Sequence, residues 1–177
     1  MSNKIINAIR SIEDFPKPGI VFRDITTLLN DADAYQQALD QLEEKAIKYD
    51  FNVIAAMEAR GFFFGAALAD RLKKRFVPIR KPGKLPFKTY QASYDLEYGS
   101  DSLEVHVDAF KKGDRILIID DLLATGGTAK AATDLVEKAG ASVSALLFLI
   151  ELDGLNGRKL LKNYSLESLI SYKEVMA

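Results

Sequence analysis

The stretch "ILIIDDLLATGGTAKAA", residues 116–132, decides the reading of this chain. Four apolar residues, Ile116 to Ile119, run into two adjacent carboxylates, Asp120 and Asp121. An apolar run of this length bounded by polar residues reads as a strand buried on both faces. Thr125, Gly126, Gly127 and Thr128 follow, and then an alanine-rich helical pattern. The two glycines let backbone N–H groups approach a ligand closely, and a helix opening there favours an anion. The loop is not a P-loop, because G-x-x-x-x-G-K-[ST] is absent, as is G-x-G-x-x-G. An Asp that merely ends a strand is common in α/β proteins. The cradle behind this pair points instead to a ribose 5-phosphate, with carboxylates accepting from the diol and amides holding the phosphate. Neighbouring strand residues face opposite ways, so both carboxylates meet one ligand only if the strand is turning.

The same alternation extends outward. "NVIAAM" (52–57), "FVPIRK" (76–81), "SVSALLFLI" (142–150) and "LESLISY" (166–172) read as further strands. "GFFFGAALADRLKK" (61–74), the segment from Thr128 towards Gly140 and "LNGRKLLKN" (155–163) read as the helices between them. This predicts an α/β fold with a central parallel sheet covered by helices on both faces, its ligand beyond the carboxyl ends of the strands. "TYQASYDLEYGSDSLEVHV" (89–107) alternates with period two and reads as an inserted hairpin turning near Gly99–Ser100–Asp101. Towards the N-terminus, Tyr35, Ala38, Leu39, Leu42 and Ala46 mark a helix capped near Asp31 or Asp33. Ile5, Ile9 and Ile12 suggest another helix behind Ser2, ended by the irregular "FPKPGIVFRD".

Composition narrows the chemistry. The 177 residues suit a single domain, 1–177. With 24 Lys and Arg against 25 Asp and Glu, general nucleic-acid binding is disfavoured. There is no cysteine and one histidine, His106, so disulfides, a thiolate nucleophile and Cys- or multi-His-ligated metals are excluded. His106 lies between Val105 and Val107 and reads as a solvent-side residue. No apolar run reaches the ~20 residues of a membrane span, and the N-terminus does not read as a signal peptide. A cytoplasmic protein without membrane association is expected.

"MEARGFFFG" (57–65) offers a second anion site, where Arg60 sits between a strand and a helix start. An arginine on a loop is ordinarily just solvated, so this motif alone decides little. From Arg71 to Tyr94 there are eight basic residues and no acid. Lys73, Lys74 and Arg75 read as a solvated helix end. Arg80, Lys81, Lys84 and Lys88 surround Pro82, Gly83 and Pro86 in a loop too cationic to pack unpaired. A mobile lid over a polyphosphate is one use of that charge, and an RNA-binding patch is the other.

"ILIIDDLLATGGT" resembles the phosphoribosyl-diphosphate signature of type I phosphoribosyltransferases, and its DD pair with ATGGT resembles the adenine-specific branch. "FPKPGIVFRDIT", "ARGFFFG", "RKPGKLP" and "SYDLEYG" resemble that family's other motifs in the same order, from Phe15 to about Leu169. The resemblance implies a purine-salvage transferase converting adenine and 5-phosphoribosyl 1-diphosphate to AMP and diphosphate. It implies Mg²⁺ carried by the diphosphate with no direct protein ligand, an oxocarbenium-like transition state with inversion at C1, and a homodimer. It also implies an N-terminal base-binding hood (about 1–34) and a lid-and-hairpin insertion (about 80–107).

Roles carry over to matching positions. Asp120 and Asp121 would hold the ribose hydroxyls, and Ala124, Thr125, Gly126, Gly127 and Thr128 the 5-phosphate. Arg60, Arg80 and Lys84 would bind the diphosphate, Arg60 also serving catalysis. Backbone groups of Val21 and Arg23 would bond the adenine edge, with Phe22 and Leu122 against its two faces. Glu97 would be the acid–base residue near the purine imidazole. "PFKTYQ" (86–91) has no clear match, so Phe87, Lys88 and Tyr90 receive no role. A 6-oxopurine or orotate transferase would share the ribose-phosphate site, and a non-catalytic sensor of the same diphosphate would share the fold.

Overall fold

The computed structural model describes residues 3–95 and 100–173. In chain order, α1 (Asn3–Asn7), β1 (Arg10–Ile12), β2 (Phe22–Asp24) and α2 (Thr26–Leu29) lead into α3 (Ala32–Ala46). Then come β3 (Val53–Met57), α4 (Gly61–Arg71) and β4 (Arg75–Ile79). The hairpin β5 (Thr89–Asp95) and β6 (Ser100–His106) precedes β7 (Arg115–Leu123) and α5 (Gly127–Lys138). β8 (Ser142–Leu152), a 3₁₀ turn (Asp153–Leu155), α6 (Gly157–Leu160) and β9 (Leu166–Tyr172) finish it.

The five-stranded sheet runs in the order β4-β3-β7-β8-β9, every pair parallel. All five residues of β3 are buried, as are Ile116 to Ile119 of β7, which is what a sheet covered on both faces requires. Alternate residues divide between two cores. Ile54, Ala56, Leu117 and Ile119 join α3 and α4 on one face. Val53, Ala55, Ile116 and Ile118 join α5 and the hairpin on the other. α3 starts where Asp31 accepts the Ala34 N–H at 3.0 Å, the expected cap. The helix α5 closes at Gly140, whose φ of +80° suits glycine, with the Ala141 N–H returned to the Val136 carbonyl.

Four readings of the sequence are corrected. The isoleucine spacing does not make one helix: Ile5 and Ile9 are buried, but α1 ends at Asn7 and Ile12 lies in β1. There the backbone pairs antiparallel with β2, so "FPKPGIVFRD" ends in a strand. Ser100 and Asp101 are not turn residues, because they pair with Asp95 and Tyr94. β7 continues past the carboxylates, since Leu122 and Leu123 stay in register with Ile150 and Glu151 of β8. Finally, Arg75 does not end a solvated helix. It opens β4 and forks onto buried Asp114 at 2.9 and 3.1 Å.

Candidate active site

Strand order reverses between β3 and β7: β3 leads on through α4 to β4, while β7 leads through α5 to β8, on the opposite face of the sheet. The two outgoing loops therefore diverge and leave a crevice at the carboxyl ends of the strands. A cavity of about 240 Å³ lies there, lined by Glu58 and Arg60 from the first loop and by Asp120 to Thr125, Gly126 and Thr128 from the second. Gly127 opens α5 directly behind them.

Both carboxylates reach this cavity although they are consecutive in a strand. Asp120 folds back so that its Oδ1 accepts the Asp121 N–H at 2.9 Å. Asp121 is buried, and its Oδ2 lies 3.1 Å from Arg60 Nε. That oxygen has no aligned hydrogen-bond donor among the described residues. Burial, and then the Asp121 charge, pushes the Asp120 carboxyl well above the ordinary aspartate range. Burial also raises Asp121, with the Arg60 guanidinium pulling the other way. The crowding is tight: a Cβ on Gly61 would meet Asp120 Oδ1 at 2.8 Å. Such a pair, one of whose buried oxygens has no aligned donor among the described residues, suits a ligand that brings hydroxyls to it.

The anion loop has the form its glycines suggest. Gly126 adopts φ +88° and sits at the N-cap of α5 with no side-chain cap, which leaves the first-turn N–H groups to a ligand. The cradle is backed by a segment the sequence did not flag: a Cβ on Gly126 would meet the Gly157 carbonyl at 2.7 Å.

The other candidates divide. Leu122 lines the cavity, whereas Val21, Phe22, Arg23, Arg80, Lys84 and Gly127 do not. β2 brings the Phe22 ring to its border, 5.5 Å from the Arg60 guanidinium carbon, with Phe15 edge-on at 5.2 Å. The Arg23 side chain points elsewhere, onto the Tyr172 ring at 3.8 Å and to the Ser11 hydroxyl. Arg80 is held by Glu58 at 3.0 and 3.2 Å, and Glu58 also accepts the Lys81 N–H. The Arg80 hydrogen bonds lead in holding the Glu58 carboxyl below its usual range. The Lys84 charge also acts on Glu58, though more weakly than Arg80, so Glu58 and Asp101 hold Arg80 and Lys81 by direct ion pairs and Lys84 only at longer range. Glu97 lies outside the described residues.

Glu58, Lys81 and Tyr94 line the cavity and went unassigned. Lys81 donates to Tyr94 Oη at 2.8 Å and to Asp101. Burial works to lower its pKa, but the Asp101 and Tyr94 bonds carry it above the ordinary lysine value. Its only signal in sequence was membership of the basic loop. His106 alternates with the core-facing Val105 and is half-buried, its Nε2 covered and its ring edge-on to Phe87 at 6.1 Å.

The chain is similar to known proteins along nearly its whole length. The family model "Phosphoribosyl transferase domain" matches residues 25–172. The adenine phosphoribosyltransferase of Francisella philomiragia is 56% identical over 172 residues, 95% of this chain and 97% of its own. The crystal structure of adenine phosphoribosyltransferase from Thermoanaerobacter pseudethanolicus superposes with a TM-score of 0.94 at 52% identity, covering 96% of this chain and 99% of that one. The Saccharomyces cerevisiae enzyme, complexed with D-2,5-dideoxy-2,5-imino-altritol 1,6-bisphosphate and adenine, gives 0.87 at 36% identity, covering 95% and 99%. The chain belongs to the phosphoribosyltransferase family, in its adenine phosphoribosyltransferase branch, and is a transferase of that kind.

Proposed function

We propose that the cavity between β3 and β7 binds 5-phosphoribosyl 1-diphosphate and passes its phosphoribosyl group to N9 of adenine, releasing diphosphate. The observation that carries this is the convergence of an adjacent carboxylate pair and an uncapped helix start on one cavity. The yeast relative's complex with an imino-sugar bisphosphate and adenine supports the same ligand classes.

In this reading Asp120 and Asp121 accept from the ribose hydroxyls, and Ala124 to Thr128 hold the 5-phosphate. Arg60, with Arg80 and Lys84, takes the diphosphate. Residues 1–34 act as a hood whose Val21 and Arg23 backbone groups bond the adenine edge, with Phe22 and Leu122 on its faces. The C1–O bond to diphosphate breaks as the C1–N9 bond forms on the opposite face, through an oxocarbenium-like transition state and with inversion. Adenine loses one proton overall, and Glu97 is the acid–base residue at the imidazole, its protonated carboxyl hydrogen-bonding N7 as N9 attacks. No covalent protein nucleophile is needed, so the protein acts by positioning and by fixed charge.

Mg²⁺ fits this site. The cavity offers the carboxylate oxygens of Asp120 and Asp121, and no group of three or more His, Cys, Asp or Glu among the described residues could hold a metal alone. The ion would take most ligands from diphosphate and water, and it would neutralise the charge of the leaving group. A homodimer in the cytoplasm is part of the same proposal. No helix among the described residues is long and apolar enough to cross a membrane.

The test is diphosphate release from 5-phosphoribosyl 1-diphosphate with adenine, hypoxanthine, guanine or orotate as acceptor. Adenine should be preferred by at least about tenfold in kcat/KM. Preference for a 6-oxopurine would reassign the base site, and no release with any base would point to a sensor.

A further inference from the structure

Gly157 opens α6, 31 positions after Gly126, yet the two backbones touch. A Cβ on Gly157 would lie 2.3 Å from the Ala124 carbonyl oxygen and 3.1 Å from the Gly126 nitrogen. Both are atoms of the anion cradle itself. The next residue fixes this approach: Arg158 forks onto buried Glu151 at 2.6 and 2.7 Å and donates to the Leu166 carbonyl at 3.1 Å. Ser168 of β9 completes the cluster, donating to Glu151 at 2.7 Å. Glu151 pairs in the sheet with Leu123, the last strand residue before the cradle. The brace and the loop therefore take their reference from the same strand pair. No side chain caps α5, so this backbone contact stands where a cap would otherwise fix the loop.

We propose that Gly157, held by the Arg158–Glu151–Ser168 cluster, is a positioning residue that sets the amide cradle at Ala124–Thr128 for the 5-phosphate. The inference rests on reading that loop as the 5-phosphate site. Any side chain at 157 must push Ala124 and Gly126 away, and their amides face a ligand that tolerates little displacement. Arg158 acts one step further out. Lysine there would keep a charge beside Glu151 but lose the fork that fixes the angle of α6.

The test titrates AMP, which carries the 5-phosphate, and Mg-diphosphate, which does not, onto the full protein and three variants. Gly157→Ala should weaken AMP by about 10- to 100-fold while diphosphate stays within about threefold. Arg158→Lys should do the same more mildly, by about 3- to 10-fold. Thr128→Ala probes the loop independently and should also weaken AMP. If Thr128→Ala weakens AMP while both brace variants bind it as the native protein does, the positioning role is wrong and the loop reading stands. If Thr128→Ala leaves AMP unchanged, the loop reading falls and the brace falls with it. Equal weakening of both ligands by the brace variants would mark a general structural role and overturn the proposal. Should Gly157→Ala fail to fold, Arg158→Lys decides on the same two ligands.

Discussion

At Asp120 the free protein holds a carboxyl group in surroundings that disfavour its ionised form, with burial and the Asp121 charge both raising its pKa. A carboxyl raised in the folded state contributes stability that is full below its unfolded pKa and is lost as pH rises through the folded one. Asp120→Asn cannot ionise, so it should melt higher than the native protein at neutral pH. The gap should close in thermal scans taken from about pH 8 down to about pH 4. The same variant should weaken use of the ribose donor by about 1–3 kcal/mol, because an amide N–H then faces the diol in place of an acceptor. A variant that melts lower at neutral pH, or that keeps native donor kinetics, would contradict one half or the other. Glu97→Gln belongs beside it. It keeps hydrogen-bonding capacity but cannot exchange a proton, so turnover should fall on the order of 10²–10⁴-fold with donor affinity held within a few-fold. Native turnover would leave Glu97 no part in proton transfer.

Among the elements, α4 is seated closely against the sheet at Gly65. A Cβ on Gly65 would meet Ala56 Cβ at 2.6 Å, and Ile119 Cγ2 and Phe76 Cε2 at 3.0 Å each. Gly65→Ala should therefore cost about 1–3 kcal/mol by overpacking, despite the better helix propensity of alanine. Urea unfolding would show it as a lower midpoint at unchanged slope, and an unchanged midpoint would mean that α4 is less closely seated. The helices and core strands were legible because their signals are local: apolar runs for β3 and β7, a 3.6-residue stripe and the Asp31 cap for α3. The N-terminal pairing of β1 with β2 was not, because Ile5, Ile9 and Ile12 mimic a helical stripe while the strand partners of β1 lie beyond Pro16 and Gly19. β7 was read too short for a similar reason. Asp120 and Asp121 look like a strand's end, but the ladder to β8 carries the chain through them.

For the whole molecule, the site is legible in proportion to how contiguous it is. Asp120 to Thr128 are contiguous in the chain and all but Gly127 line one cavity, so their grouping could be read from the sequence. Lys81, Tyr94 and Gly157 reach the site or its wall through sheet order and helix packing, which no local pattern encodes. The basic loop shows the same limit. It has no acid of its own, yet Glu58 holds Arg80, Asp101 holds Lys81, and the Glu104 carboxylate accepts the Gly83 N–H at 3.2 Å. Further along, β5 is tied down: it pairs with β6 throughout, Tyr94 is buried, and Lys138 of α5 donates to the Gln91 carbonyl at 3.3 Å. The lid expected in the basic loop is thereby narrowed to about 82–88, where Lys84 acts on Glu58 only through its charge and Phe87 is 56% exposed. Two cations on a loop whose ladder bonding begins only at the Lys88 carbonyl, which accepts the Val107 N–H at 3.0 Å, should close on a polyanion that brings its charge to the cavity beside them. Hydrogen exchange should show this directly. Backbone amides in 84–88 should slow by about tenfold or more with saturating Mg-diphosphate, while those of β5 and α5 change little. Equal exchange with and without the ligand would remove the lid. Slowing that spread evenly over β5 and α5 would mean that diphosphate tightens the whole domain and does not close a loop.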